Sequence, residues 1–147
     1  MSAEMLLGLI GVGFIMGISA VGSGIGIGIA GSAAIGAWKR CFKANKPAPM
    51  TLLVFAGAPL TQVFYGFILM QSLRDAVTAS NGGVVFGMAI GSGLAQTFSA
   101  IAQGQACAAA ADAFSETGKG FANYIGVIGI CETVALFAMV LTMTSLG

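Results

Sequence analysis

Histidine is absent from this chain, and charged residues make up only 7% of it. The first absence removes the commonest metal ligand and general base. The second is incompatible with a water-soluble surface, because soluble domains carry about a quarter charged residues. A basic tract of the kind that tracks phosphates is missing, and the net charge is +1, so nucleic acid is excluded as a partner. No G-x-x-x-x-G-K-[ST] segment occurs, so no nucleotide is bound or hydrolysed through that motif. The three cysteines (Cys41, Cys107, Cys131) show no C-x-x-C pairing and read as reduced apolar fillers rather than a zinc site or disulfide framework. Tryptophan occurs once, at Trp38. The start, Met-Ser-Ala-Glu, has no basic leader, so a cleaved signal peptide is not expected and the first apolar span is expected to stay.

What remains is 57% hydrophobic, with 23 glycines. The few charges fall in clusters that mark the breaks. Lys39, Arg40, Lys43 and Lys46 sit with Pro47 and Pro49; Arg74 and Asp75 precede "TASNGG"; Asp112, Glu116 and Lys119 lie in "DAFSETGKG". Between them run four apolar segments, 5–38, 50–73, 83–112 and 121–145. Each reaches the ~20 residues that cross a bilayer as helix. They lack the alternation of barrel strands, and only helices or closed barrels satisfy backbone polar groups in lipid. The fold class is therefore an all-α membrane protein with four transmembrane helices in two antiparallel hairpins. The connections 39–49 and 113–120 hold five of the six basic residues, which places them in the cytoplasm of a prokaryotic plasma membrane. Both termini and the 74–82 turn then lie outside.

The halves resemble each other. "SGIGIGIAG" from Ser23 aligns with "SAIAQGQAC" from Ser99, and "PLTQVF" from Pro59 with "CETVAL" from Cys131. Thr61 falls on Thr133, and Leu60 on Glu132. The expected organisation is a duplicated hairpin, 1–78 and 79–147, with the acid kept in the second copy alone. Gly26-Ile-Gly28-Ile-Ala-Gly31 satisfies G-x-G-x-x-G, but no acidic residue follows until Asp75 and no strand precedes it. Its glycines, with the G-x-x-x-G pairs nearby, are instead thin helix faces for close packing, suited to the crowded interior of a ring.

Glu132 lies about eleven residues, or roughly 16 Å of helix, from the third connection. Gln103 on the preceding helix, and Thr61 and Gln62 on the second, reach nearly the same depth by the same count. Ala58, Thr61, Gln62 and Tyr65 share one helix face at i, i+3, i+4, i+7 spacing. Pro59 has no N–H, which loosens the local backbone and frees carbonyl oxygen. A lone carboxylate at mid-membrane costs roughly 3 kcal/mol or more unless protonated or paired. No lysine or arginine lies within the spans. The neutralising partner is a proton or a small hard cation. The number of surrounding oxygens, with a single charge among them, favours Na⁺ over H⁺ and over Zn²⁺ or Ca²⁺. Taken singly, Thr61 also reads as a helix hydroxyl bonded back to its own chain, Gln62 and Gln103 as interhelical glue, and Tyr65 as a packing aromatic. A small secondary transporter for an organic cation is the competing function, but it calls for an aromatic-lined cavity.

"APLTQVFYGF" (58–67), "IAQG" (101–104) and "CETVALF" (131–137), set in glycine-rich hairpins, resemble the rotor-ring proteolipids of V-type/A-type ATPases. In particular they resemble the duplicated, sodium-binding K subunit kind. The resemblance implies identical copies in a lipid-embedded ring, a membrane stator subunit that supplies an arginine, and a central-stalk subunit on the cytoplasmic loops. It implies no catalysis by this chain, with ATP hydrolysis in a separate head. It also implies a Na⁺ site made of the Ala58 main-chain carbonyl, Thr61, Gln62, Gln103 and Glu132, with the Tyr65 hydroxyl steadying the glutamate. The chain departs from the family pattern at Ala58, where leucine is familiar, and at Leu60, where glycine is.

Overall fold

The computed structural model describes residues 1–146 and consists of helices. They are α1 (Ala3–Lys43), α2 (Leu52–Gly57), a single 3₁₀ turn (Ala58–Leu60), α3 (Thr61–Ala76), α4 (Gly82–Thr117) and α5 (Phe121–Thr144). The segment from α2 through α3 runs on as one span, Leu52–Ala76, so four units are long and apolar enough to cross a membrane. The turn at Ala58–Leu60 carries Pro59, whose missing N–H breaks the α-helical ladder there. The first and third spans extend beyond their apolar segments to Lys43 and Thr117. Lys, Arg, Glu and Ala are good helix formers, and nothing between Lys39 and Lys43 or between Asp112 and Thr117 interrupts the ladder.

The ends are tied locally. Ser2 caps α1 by accepting the Met5 N–H at 3.1 Å. Glu4 of α1 reaches across to accept the Gly83 N–H at 2.9 Å, supplying the start of α4 with the cap that Asn81 does not provide. Trp38 donates its indole N–H to the Pro49 carbonyl at 2.8 Å and pins the basic connection. At the other hairpin Gly118 (φ 64) and Gly120 (φ 84) take the left-handed backbone that ends α4 and opens α5. Arg40 pairs with Asp112, joining the two hairpins at the end where these connections lie.

α1 packs chiefly on α4, and the two run parallel: Gly8 lies against Gly82, Gly11 against Phe86, Gly22 against Thr97 and Gly26 against Ala100. The approach is backbone on backbone. A Cβ at Gly26 would collide with the Ala100 carbonyl and stand 2.8 Å from the Pro59 ring, and one at Gly104 would collide with Gly26. Gly13, Gly17, Gly24, Gly28 and Gly31 face open space on the other side of the same helix. Large side chains such as Phe64, Phe98, Ile130 and Phe137 stay exposed on the outside, as lipid or further protein requires and water would not tolerate.

The interior is layered. One apolar cluster (Ala30, Ala34, Ala37, Leu52, Phe55, Cys107, Ala110, Ala111, Ile128) lies toward the 39–49 connection. A second (Val12, Ile15, Leu69, Leu73, Val85, Ala89) lies toward the 77–81 turn. Between them come Ser19, Ser23, Gln62, Ser92, Gln96, Ser99 and Gln103, all buried. The polar layer is thus sealed along the helix axes by apolar plugs on both sides.

Candidate functional site

The 3₁₀ turn and the start of α3 present one polar edge to this layer. The Thr61 hydroxyl lies 3.3 Å from the Ala58 carbonyl and 3.2 Å from Gln62 Oε1. Gln62 is fully buried and donates through Nε2 to Gln103 Oε1 of α4 at 2.9 Å. Gln103, equally buried, donates through its own Nε2 to Glu132 Oε2 and to the Ile128 carbonyl of α5, each at 3.2 Å. Tyr65, one turn beyond Thr61, donates its hydroxyl to Glu132 Oε1 at 2.5 Å. All six residues singled out in the sequence therefore fall in one hydrogen-bonded chain running from Ala58 through Thr61, Gln62 and Gln103 to Glu132 and back to Tyr65.

Each carboxylate oxygen of Glu132 accepts one protein donor, a phenol and an amide, and both donors are neutral. Among the described residues the ion pair present is Arg40–Asp112, far along the helices at the connection, and no basic side chain reaches Glu132. The contacts of this carboxyl with the protein are thus hydrogen bonds from neutral donors and include no ion pair. The available donor set is oxygen only: one carboxylate, two amide carbonyls, one hydroxyl and the Ala58 main chain. No group of three or more His, Cys, Asp or Glu side chains able to hold a metal occurs among the described residues. A hard monovalent ion matches one charge among neutral oxygens; a transition metal does not.

Two residues near the site carry no sequence signal of comparable strength. The Ser99 hydroxyl donates to the Cys131 carbonyl of α5 at 2.7 Å and lies 3.4 Å from Gln62 Nε2. Gln96, fully buried, donates to the Ala135 carbonyl at 3.0 Å. Their spacing to Gln103 (96, 99, 103) is a helical stripe, visible once the partner face of α4 is known. Leu60, which aligns with Glu132, is 44% exposed and contributes no polar atom. The cysteines are free thiols.

Comparison with known proteins adds an independent line. The chain is 31% identical over 140 residues to a protein described as "A-type ATP synthase subunit K" from Methanocaldococcus jannaschii. The match covers 95% of this chain and 61% of that relative, so the chain spans about three fifths of its length. The family profile for the C subunit of ATP synthase matches two separate stretches, residues 10–71 and 86–144. These stretches take in most of α1, all of α2 and the Pro59 turn, most of α3 and α4, and α5 with Glu132, and the chain belongs to the ATP synthase C-subunit family.

Proposed function

We propose that this chain is a non-catalytic rotor subunit of an A-type or V-type rotary ATPase, and that it carries Na⁺ across the membrane bound at Glu132. One observation carries the reading: a mid-span carboxylate with no basic partner, linked through Gln103, Gln62 and Thr61 to the Ala58 carbonyl. Glu132 supplies the charge. Gln62, Gln103, Thr61 and the Ala58 carbonyl supply neutral oxygens; Gln103, whose Nε2 now faces Glu132, would turn its amide to present its oxygen to a shared cation. Tyr65 steadies the carboxylate through its bond to Oε1.

The mechanism follows from desolvation. Facing lipid, the carboxylate is tolerable only with its cation, so the loaded site rotates and the unloaded one does not. An arginine on a stator partner would compete for Glu132 and release the ion into an aqueous path; a second path would reload it. Identical copies form the ring, lipid surrounds it, and a central-stalk subunit binds the 39–49 and 113–120 connections, which face the cytoplasm. The hairpins 1–78 and 79–147 are copies of one ancestral unit, a reading supported by the twofold match of the family profile.

The same rotor carrying H⁺ is the alternative. It draws on a specific feature: both amide oxygens already accept protein hydrogen bonds, Gln62 Oε1 from Thr61 and Gln103 Oε1 from Gln62. A protonated Glu132 would leave both amide oxygens with their present partners and need only the Tyr65 contact to reverse, the carboxyl O–H donating to the phenol oxygen. Carbodiimide labelling of Glu132 in the assembled ring separates the two. Labelling slowed by millimolar Na⁺ at constant pH supports Na⁺. Labelling that responds to pH alone supports H⁺. An unreactive Glu132 in a chain that stays monomeric in mild detergent overturns the rotor assignment.

A further inference from the structure

α5 carries the acid that joins the polar layer, yet it is the least buried of the spans. Within its most apolar stretch 11% of residues are buried, against 33–39% in the other three. Ile128 and Ala135 are its buried residues, while Ile130, Val134, Phe137 and Leu141 form an exposed stripe. In lipid, apolar surface gives no net drive for helix association, so α5 needs another means of fixing its position.

That means is a seam of side-chain donors on α4 that bond the main chain of α5. Gln103 donates to the Ile128 carbonyl at 3.2 Å, Ser99 to Cys131 at 2.7 Å and Gln96 to Ala135 at 3.0 Å. Ser92 and Thr142 close it with a hydroxyl pair at 2.6 Å. The α4 residues recur at 92, 96, 99 and 103, and their partners descend from 142 to 128, as antiparallel helices demand. Main-chain carbonyls have fixed directions around a helix, so bonds to three of them set rotation as well as depth. Glu132 lies on the flank of this bonded face, turned toward Tyr65. A group about 5–6 Å from a helix axis moves roughly 2 Å for a rotation of about 20°. That displacement is enough to break the contacts of Glu132 with Tyr65 and Gln103. The Gln96 amide oxygen has no hydrogen-bond partner, so this side chain costs more than an apolar one of similar volume. The bond from its nitrogen to α5 is what it contributes in return.

We propose that Gln96 and Ser99 are positioning residues that hold the rotational setting of α5 and so keep Glu132 aimed at Gln103 and Tyr65. The inference takes Glu132 as the functional carboxylate of the preceding section, but its test does not require that the ion be Na⁺. Carbodiimide labelling rates of Glu132 are measured in the assembled ring, in Na⁺-free buffer at fixed pH. Gln96→Leu and Ser99→Ala are expected to label roughly fivefold faster than the parent, in keeping with the loss of one buried hydrogen bond. Ser99→Thr, which keeps the hydroxyl, is expected to label more slowly than Ser99→Ala. Thr97→Val is expected to label at the parent rate, because the bond it removes (2.6 Å) runs to the Ile18 carbonyl of α1 instead of to α5. Parent-like rates in both Gln96→Leu and Ser99→Ala overturn the proposal, as does equal acceleration in Thr97→Val. Should Gln96→Leu not assemble, Ser99→Ala against Ser99→Thr decides the matter. Na⁺ protection of the parent ring is read separately: its absence removes the Na⁺ assignment and leaves the labelling comparison intact.

Discussion

The two helices that follow glycine-rich partners, Leu52–Ala76 and Phe121–Thr144, make the same local bond in different company. Thr61 lies 3.3 Å from the Ala58 carbonyl, and Thr133, which aligns with it, donates to the Ile130 carbonyl at 2.6 Å. Beside Thr61 stand Leu60 and Gln62; beside Thr133 stand Glu132 and Val134. Gln62 is fully buried, whereas Val134 is exposed. At this depth the first helix therefore offers neutral oxygens and no charge, and the second offers the charge with the Thr133 hydroxyl beside it. Neither half makes a site alone. The polar chain exists because α4, with Gln103, stands between them and bonds both.

The sharpest way to break this comparison is to remove the charge. Glu132→Gln is expected to abolish carbodiimide labelling and ATP-driven ion transport in the reconstituted complex, while the ring still assembles, because an uncharged amide is easier to hold in lipid than a carboxylate. Transport that survives in Glu132→Gln would show that the charge asymmetry between the two helices has no role in carrying the ion.

Packing offers the next largest effect. Gly26 lies against the Ala100 carbonyl and the Pro59 ring, while Gly24, two residues away, faces open space within the chain. Gly26→Val is expected to destabilise the α1–α4 contact by about 1–3 kcal/mol or more, since backbone cannot give way as a flexible side chain can. It should also shift the Pro59 turn that presents Ala58 and Thr61. Gly24→Val should leave the fold of the single chain unchanged. Thermal unfolding in detergent, followed by loss of helical signal, distinguishes the two.

Much of this was legible in the sequence, for identifiable reasons. Charge-free run lengths marked out four spans, and counting from a shared side put Thr61, Gln62, Gln103 and Glu132 at one depth, where the structure joins them by hydrogen bonds. Pro59 signalled a backbone break, which is the 3₁₀ turn Ala58–Leu60. Helix ends were less legible: α1 runs to Lys43 and α4 to Thr117 because charged helix formers continue a helix past the bilayer boundary. Asp112, one of the charges that mark the third break, lies within α4 and pairs with Arg40 of α1. Ser99 and Gln96 escaped notice because their partners are main-chain carbonyls of α5, which any sequence would supply. Only the register between α4 and α5 shows which carbonyls they meet.

Within the site, Gln103→Leu and Gln62→Leu sharpen the division between charge and neutral oxygen. Each removes one amide from the chain, and each is expected to raise the Na⁺ concentration for half-protection of Glu132 by about tenfold, the scale of a lost hydrogen bond or ligand to a charged group. Gln103→Leu should be the more damaging, because it removes an oxygen offered to the cation and also the amide that donates to Glu132, whereas Gln62→Leu leaves that donor in place. Equal effects would mean that the hydrogen bond from Gln103 to Glu132 adds nothing beyond the oxygen each amide offers the cation.

The smallest effect tests whether the first helix can be given the acid it lacks. Leu60→Glu puts a carboxylate at the position that aligns with Glu132, but the residues aligned with Gln103 and Gln62 are then Ile27 and Val134. Neither supplies a hydrogen-bond donor or a neutral oxygen. Leu60 is already 44% exposed, so the new side chain can be held protonated without reordering the core. The expected outcome is a modest fall in ring yield, a second carbodiimide-reactive residue at position 60, and no slowing of that second reaction by Na⁺. Glu132 should keep its own Na⁺ dependence, since Thr61 and Gln62 remain. Na⁺ protection at position 60 would mean that a carboxylate at this depth recruits its own ligands, and that the amide chain is a convenience of packing and not the reason the ion is held.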